Sequence, residues 1–375
     1  MNDILQMRLF CASIMALGVL CFTNRRDPKP AKALNHGTPQ YTDFQYILWF
    51  PLYLALFYFS VCSEDDTNFE ASRQHMFSVC FMIFLHLTIY YGALLTVLPA
   101  LRSRFQARTC ATLWLLPCLL YIFFGPGASS DIWLAYEQYL TIPLSSELAS
   151  TLSKIWMLGF WIILIWKIAS HILFGQRIEA SARKITDPEI LQIWEQEQKA
   201  TGEYPLLSSP ILQSPLIHTP LSIGVYKMNT ILVLPEKEYT LEELELIFRH
   251  EIIHIQRRDG ATKFFLVFCC ALCWFNPLMW LGIRRSAEDI ELSCDEAVLN
   301  SFPEKAPRHQ YAKLLLQTAG EERGFTSCLA ASTSALRYRL ENIITPRSRK
   351  SGAVFSALVT FFMMMTIGCV RLSIV

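Results

Sequence analysis

Six apolar runs, at about residues 4–23, 44–62, 75–99, 109–125, 155–174 and 352–370, limit most strongly what this chain can fold into. Each reaches or approaches the roughly 20 helical residues that cross a hydrocarbon core. No water satisfies the backbone inside lipid, so such runs fold as helices, whose amides and carbonyls bond within the segment. Of the 375 residues, 53% are hydrophobic and only 17% charged, against about 25% charged in soluble domains. Lys plus Arg number 33 and Asp plus Glu 32. That balance excludes a strongly basic nucleic-acid binder, and only local charge asymmetry carries information.

Local asymmetry sets an orientation. "NRRDPKPAKALNHG" after the first run carries Arg25, Arg26, Lys29 and Lys32, whereas "SEDDTNFEASRQ" after the second has only Arg73. "LRSRFQAR" is basic, the loop from about 126 to 154 holds only Lys154, and "GQRIEASARK" is basic again. Positive residues favour the cytoplasm, so the amino terminus is expected outside and residues 175–351 in the cytosol. The first run has no small-residue cleavage signature and reads as a retained helix.

Most of the 12 cysteines lie within or beside apolar runs, where Cys acts as a small hydrophobe. Cys269, Cys270 and Cys273 form a C-C-x-x-C among Phe, Leu, Val and Trp, with no second pair at zinc-finger spacing, and read as packing. His86 and Lys167 are scattered ionisable residues within runs. Lys167 is expected to snorkel to a cytoplasmic end, which leaves little case for a transporter.

The chemistry-bearing stretch is "FRHEIIHIQRRDG". "NTILVLP" before it reads as a strand ending at Pro235, and "TLEELELIFRHEIIHIQRR" reads as a helix opened by a Thr240/Glu243 capping box. On that helix His250 and His254 are i and i+4, so both imidazoles leave one face at a separation suited to one ion. Glu251 stands beside them, where a carboxylate can take a proton from an attacking water. This is the zinc hydrolase arrangement.

A third ligand is needed, and "RRSAEDIELSCDEAVLN" (284–300) is a helical pattern with Glu288, Glu291 and Asp295 along one side. Glu291 is preferred over Glu288 because only Glu291 has an acidic residue at i+4. Asp295 is then expected to accept a hydrogen bond from a ligand imidazole and fix its tautomer. The intervening run "FFLVFCCALCWFNPLMWLGI" (264–283) is long enough to span, which would carry Glu291 to the wrong side. Asn276-Pro277 interrupts it, and proline breaks a helix interior. The run is therefore expected to be a re-entrant hairpin that returns to the cytosolic face.

With "ILVLP", "HEIIHIQRRD", "CWFNPLMW" and "DIELSCDEAVL" in that order, the chain resembles the BlaR/MecR-type antirepressor membrane metallopeptidases from about residue 155 to 351. The resemblance implies zinc on His250, His254 and Glu291, with Glu251 as general base. The fold it implies is a multi-pass α-helical membrane protein with a cytosolic, mainly α (α+β), gluzincin-like zinc peptidase domain. Five spans are expected in 1–174, the peptidase with its hairpin at 264–283 in 175–351, and a last span with a short outer tail in 352–375. Antibiotic-sensing members carry a penicillin-binding domain after the last span. Here "RLSIV" follows, and no S-x-x-K is accompanied by S-D-N and K-T-G, so direct β-lactam sensing is not expected of these residues.

The expected cofactor is Zn²⁺. The expected partners are the lipid bilayer, a peptide or protein substrate that under the resemblance is a cytosolic transcriptional repressor, and a second copy of the chain as a homodimer. Direct nucleic-acid binding is not expected. Self-cleavage is expected within "EERGFTSCLAASTSALRYR" (321–339), and the stretch 215–235 reads as a hairpin whose edge takes an extended substrate. His218, His309 and Tyr311 read as structural, and no oxyanion-stabilising group is evident. The alternatives are a membrane quality-control peptidase with the same ligands and a non-catalytic zinc-binding scaffold. An intact Glu251 argues against the scaffold, because a structural site has no use for it.

Overall fold

A computed structural model describes residues 2–24, 66–118, 140–200, 211–224, 230–257, 259–302, 307–318, 333–345, 349–366 and 370–374. The expected span at 44–62, the part of 109–125 beyond residue 118 and most of the expected cleavage segment lie outside the described residues. In order, the elements are α1 (Asn2–Asn24), α2 (Asp66–Arg104), α3 (Ala107–Leu115), β1 (Leu140–Leu144), α4 (Ser146–Ser181), β2 (Arg183–Lys184) and α5 (Pro188–Ala200). They continue with β3 (Leu212–Ser214), β4 (Leu221–Ile223), β5 (Ile231–Pro235), α6 (Leu241–Arg257), α7 (Asp259–Leu272) and α8 (Pro277–Asn300). Last come α9 (Arg308–Thr318), α10 (Thr333–Ile344), α11 (Ala353–Thr366) and β6 (Val370–Ile374).

Two stretches, Cys80–Arg104 in α2 and Ser146–Ser181 in α4, are helices long and apolar enough to cross a membrane. Leu5–Cys21, Thr262–Leu272 and Ala353–Thr366 are shorter apolar helices. Helix α4 starts well before the expected 155 because Ser145 caps it, its hydroxyl accepting from the Leu148 amide at 3.4 Å. Together α1, α2, α3, α4, α7, the start of α8 and α11 share one apolar core, with Leu87, Tyr91, Trp114, Phe160, Phe265 and Met364 at its centre. The cysteines of the C-C-x-x-C are buried in this core. Lys167 departs from expectation: only 5% exposed, its ammonium lies 4.7 Å from the Trp166 ring centre and 5.5 Å from that of Trp280. Cation–π attraction to these two rings favours the buried ammonium.

The break at Asn276-Pro277 is a tight reversal. Helix α7 stops at Leu272, a turn covers residues 273–275, and α8 begins with Pro277 at a position whose missing N–H costs nothing. The Asn276 side chain accepts from the Leu278 amide at 3.0 Å and donates to Thr88 Oγ1 of α2 at 2.8 Å. Trp156 and Trp274 donate to one another's neighbourhoods, Trp156 to the Leu272 carbonyl and Trp274 to the Trp156 carbonyl. The Trp274 indole lies where only the missing Cβ of Gly159 leaves room.

A second core holds the functional residues. Leu232, Leu234, Leu244, Phe248, Ile252, Val298, Tyr311 and Ile343 meet there from β5, α6, α8, α9 and α10. Helix α8 therefore starts in the apolar body and ends in this core. The four-stranded sheet runs β2-β3-β5-β4, with β4 antiparallel to β5 and on the edge. The capping box forms as expected: Thr240 N donates to Glu243 Oε2 at 3.0 Å and Glu243 N to Thr240 Oγ1 at 3.2 Å. Arg249 fixes α6 against α5 through two bonds to Glu197, at 2.7 and 2.8 Å. A separate parallel pair joins β1 to β6, Leu140 opposite Val370. At the other end of α11, Lys350 pairs with Phe105 and donates to the Arg104 carbonyl.

Candidate metal centre

The reversal at Asn276 lays α8 antiparallel to the incoming chain and brings Glu291 back to the two histidines. His250 Nε2 and His254 Nε2 lie 3.0 Å apart, and Glu291 Oε2 is 3.6 Å from the first and 3.5 Å from the second. A tetrahedral zinc with bonds of about 2.0–2.1 Å needs donor pairs separated by about 3.3 Å, and this triangle brackets that value. The fit extends to proton positions. The Tyr311 hydroxyl donates to Asp295 Oδ1 at 2.8 Å, so it accepts from His250 Nδ1–H, also at 2.8 Å. His254 Nδ1–H donates to Asp259 Oδ2 at 2.6 Å. Nδ1 of each ring is thus engaged by an outer partner and each Nε2 turns toward Glu291, the orientation in which imidazoles can bind a cation.

The expected direct bond from Asp295 to an imidazole is not made. Asp295 Oδ1 lies 3.7 Å from His250 Nδ1, and the Tyr311 hydroxyl stands between them. Asp295 is instead gripped by Arg339 through two bonds, Nε to Oδ2 at 2.7 Å and Nη2 to Oδ1 at 2.8 Å. The remaining guanidinium nitrogen lies 3.6 Å from Glu291 Oε2, and Lys263 holds Glu291 Oε1 at 3.0 Å. Glu288, the rival third ligand, faces away toward Arg102 and Arg285. Glu251 is buried one residue along from His250, and its charge reaches Lys263.

Asp259, Lys263, Tyr311, Arg339 and Cys294 complete the surroundings, and sequence reasoning gave none of them a role here. The Cys294 sulfur is 3.5 Å from His250 Nδ1, and His250, His254 and Cys294 form a group whose ligand atoms lie within 4.8 Å of one another. Cys294 approaches His250 at the nitrogen that Tyr311 already engages. Glu291 Oε2 lies 3.6 and 3.5 Å from the two Nε2 atoms, so both Glu291 and Cys294 stand within reach of an ion held by the histidines.

The charges favour a cation. Burial opposes ionisation of Glu291, but the Lys263 ammonium and His254 outweigh it and hold the carboxyl well below its usual range. Burial lowers His250, yet the neighbouring Cys294 and the bond to Glu291 leave it raised to about 10. His254 is raised well above its ordinary value by Cys294, Glu291 and Asp259 against the same opposing burial. The pocket thus draws positive charge onto the nitrogens that face one another. Loss of an outer carboxylate that orients a ligand imidazole costs about 10–100-fold in metal affinity. Asp259→Asn is therefore expected to weaken zinc binding by that factor, measured by competition with a chromophoric chelator. Unchanged affinity would remove Asp259 from the site.

A helical chain with two stretches long and apolar enough to cross a membrane, and with imidazoles converging beside a glutamate, matches a family of peptidases. The chain belongs to the BlaR1 peptidase M56 family, whose family model matches residues 127–343. It is similar to the regulatory protein BlaR1 of Bacillus licheniformis, 27% identical over 217 residues. The match covers 56% of this chain and 33% of that relative, so the chain accounts for about a third of the relative's length.

Proposed function

We propose that the chain is a multi-pass membrane zinc metallopeptidase that hydrolyses peptide bonds on the cytosolic side, in a signalling role in which it cleaves itself or a transcriptional repressor. The convergence of His250 Nε2, His254 Nε2 and Glu291 Oε2 on one point carries this reading. Zinc held there supplies Lewis acidity, polarising the scissile carbonyl and making a water acidic enough to attack. Glu251 takes the proton from the attacking water and passes it to the leaving amine. Tyr311 with Asp295, and Asp259, hold the two imidazoles in the required tautomer. Lys263 and Arg339 keep Glu291 ionised and aimed.

Strand β4 supports the substrate assignment. It is the edge of its sheet, and the Gly224 carbonyl just beyond it lies against Gly260, next to Asp259. An extended peptide added to that edge runs toward the metal site. The membrane reading rests on large apolar side chains turned outward along α1, α2, α4 and α11, among them Phe10, Ile89, Leu158 and Phe362. Phe275, Trp280 and Leu281 at the reversal are also exposed, as suits a hairpin tip dipping into lipid. The pairing of β1 with β6 at one end of α11, and the contact of Lys350 with residues 104–105 at its other end, support this arrangement.

The test is metal removal and return. Purified protein in lipid is expected to carry stoichiometric zinc, to lose cleavage of itself and of reporter peptides on chelation, and to regain both with added zinc. Cleavage that persists after complete chelation would overturn the proposal.

A further inference from the structure

Helix α8 carries more than Glu291. Its acidic residues are held by cations from separate parts of the chain: Asp295 by Arg339 of α10, Glu296 by Arg349 ahead of α11, and Glu291 by Lys263 of α7. A further cation comes from the apolar body. Arg102, two residues from the end of α2, donates Nε to Asp289 Oδ1 at 2.8 Å and Nη2 to Glu288 Oε2 at 3.3 Å. The other oxygen of Asp289 accepts from Trp114 Nε1 of α3 at 2.7 Å. The same guanidinium lies 5.1 Å from the ring centre of Tyr338.

Two features set Arg102 apart from a surface ion pair. Its partner Asp289 is fully buried, with 0% of its side chain exposed, so the contact is unscreened and geometrically fixed. Its two sets of contacts also sit beside the site on different helices. Asp289 is two residues before Glu291 on α8, and Tyr338 directly precedes Arg339, which lies against Glu291 and holds Asp295. One side chain at the end of a membrane helix thus braces the helix that carries the third ligand and the helix that carries the arginine behind it.

We propose that Arg102 is a positioning residue for the metal site, setting the height of α8 and α10 so that Glu291 meets His250 and His254. This rests on the zinc reading above. The tie makes the end of α2 a mechanical input to the site, because a shift of α2 along its axis moves Asp289, and Glu291 with it.

The test uses the full chain in lipid nanodiscs, with zinc affinity and thermal midpoint as separate readouts. Arg102→Gln alone leaves Asp289 buried and unpaired and is expected to lower both. The double variant Arg102→Gln/Asp289→Asn removes the charge but keeps an acceptor for Trp114. It is expected to regain most of the thermal midpoint while its zinc affinity stays at least about tenfold weaker, the lower end of the effect of an outer-sphere partner. Arg102→Lys keeps the charge without the planar two-bond grip, and is expected to show a near-parent midpoint with weakened zinc. Parent-like zinc affinity in either the double variant or Arg102→Lys would overturn the proposal, since neutralising Asp289 would then be the whole role of Arg102. The parent's own zinc content separates the two readings. Absence of zinc there refutes the metal site, whereas a zinc-loaded parent matched by its variants refutes Arg102 alone.

Discussion

Glu251→Ala is expected to retain its zinc and to lose peptide cleavage by about 10²–10⁴-fold, the range for removal of a general acid–base group. The two outcomes separate because of where the side chain stands. The donors are His250, His254 and Glu291, and both imidazoles are oriented from their far nitrogens by Tyr311 and Asp259. None of these bonds involves Glu251, so its truncation leaves the donor set intact. The carboxylate is nevertheless buried and adjacent to His250 along the helix, where it can reach a water at the metal. Zinc content measured beside single-turnover cleavage in lipid decides the matter. Cleavage at the parent's rate would mean that another group moves the proton, and joint loss of zinc and cleavage would make Glu251 a structural part of the pocket.

Asp295→Ala is expected to be the most destabilising single change around the site, at about 3–5 kcal/mol, the cost of leaving a buried charge without its partner. Asp295 is 1% exposed, and its two oxygens take both bonds from Arg339 and one from Tyr311. Removing it strands the guanidinium and releases the tyrosine hydroxyl that orients His250. Pairing the change with Arg339→Met is expected to recover much of the stability, since an apolar replacement of both members of a buried pair is often neutral. It does not recover zinc affinity, because the His250 orientation is still lost. Chemical denaturation and zinc competition on the three variants check this. A single variant as stable as the parent would show that water enters and satisfies Arg339.

The residues that sequence made legible are those whose geometry is local. The capping box at Thr240 and Glu243 is a three-residue pattern, the histidine pair a four-residue one, and the reversal follows from one proline after an asparagine. Proximity of Glu291 to the histidines then follows from the reversal. Asp259 was illegible for a definite reason. On a continuous helix a residue five after His254 points about 140° away from it. Asp259 lies on α7 and reaches His254 Nδ1 at 2.6 Å, a contact that helical spacing by itself does not report. Tyr311, Arg339 and Arg102 come from helices distant in sequence, and no spacing rule reports which side chain fills a gap between elements. The expected Asp295–imidazole bond fails on this ground. The i+4 spacing placed the carboxylate on the correct side of α8 but said nothing of a tyrosine arriving from α9.

The packing of α1 against α11 sets a timetable for folding. Residues 25–352 separate the two helices in the chain, and ribosomes add about 5–20 residues per second. Roughly 15–65 s therefore pass between the emergence of α1 and that of the helix it packs on. During that interval Ala12 and Val19, buried in the finished body, are without the surface that covers them. The histidines, Glu291 and Arg339 are all synthesised within the same interval, so the parts of the candidate site exist before the apolar body beside them can close.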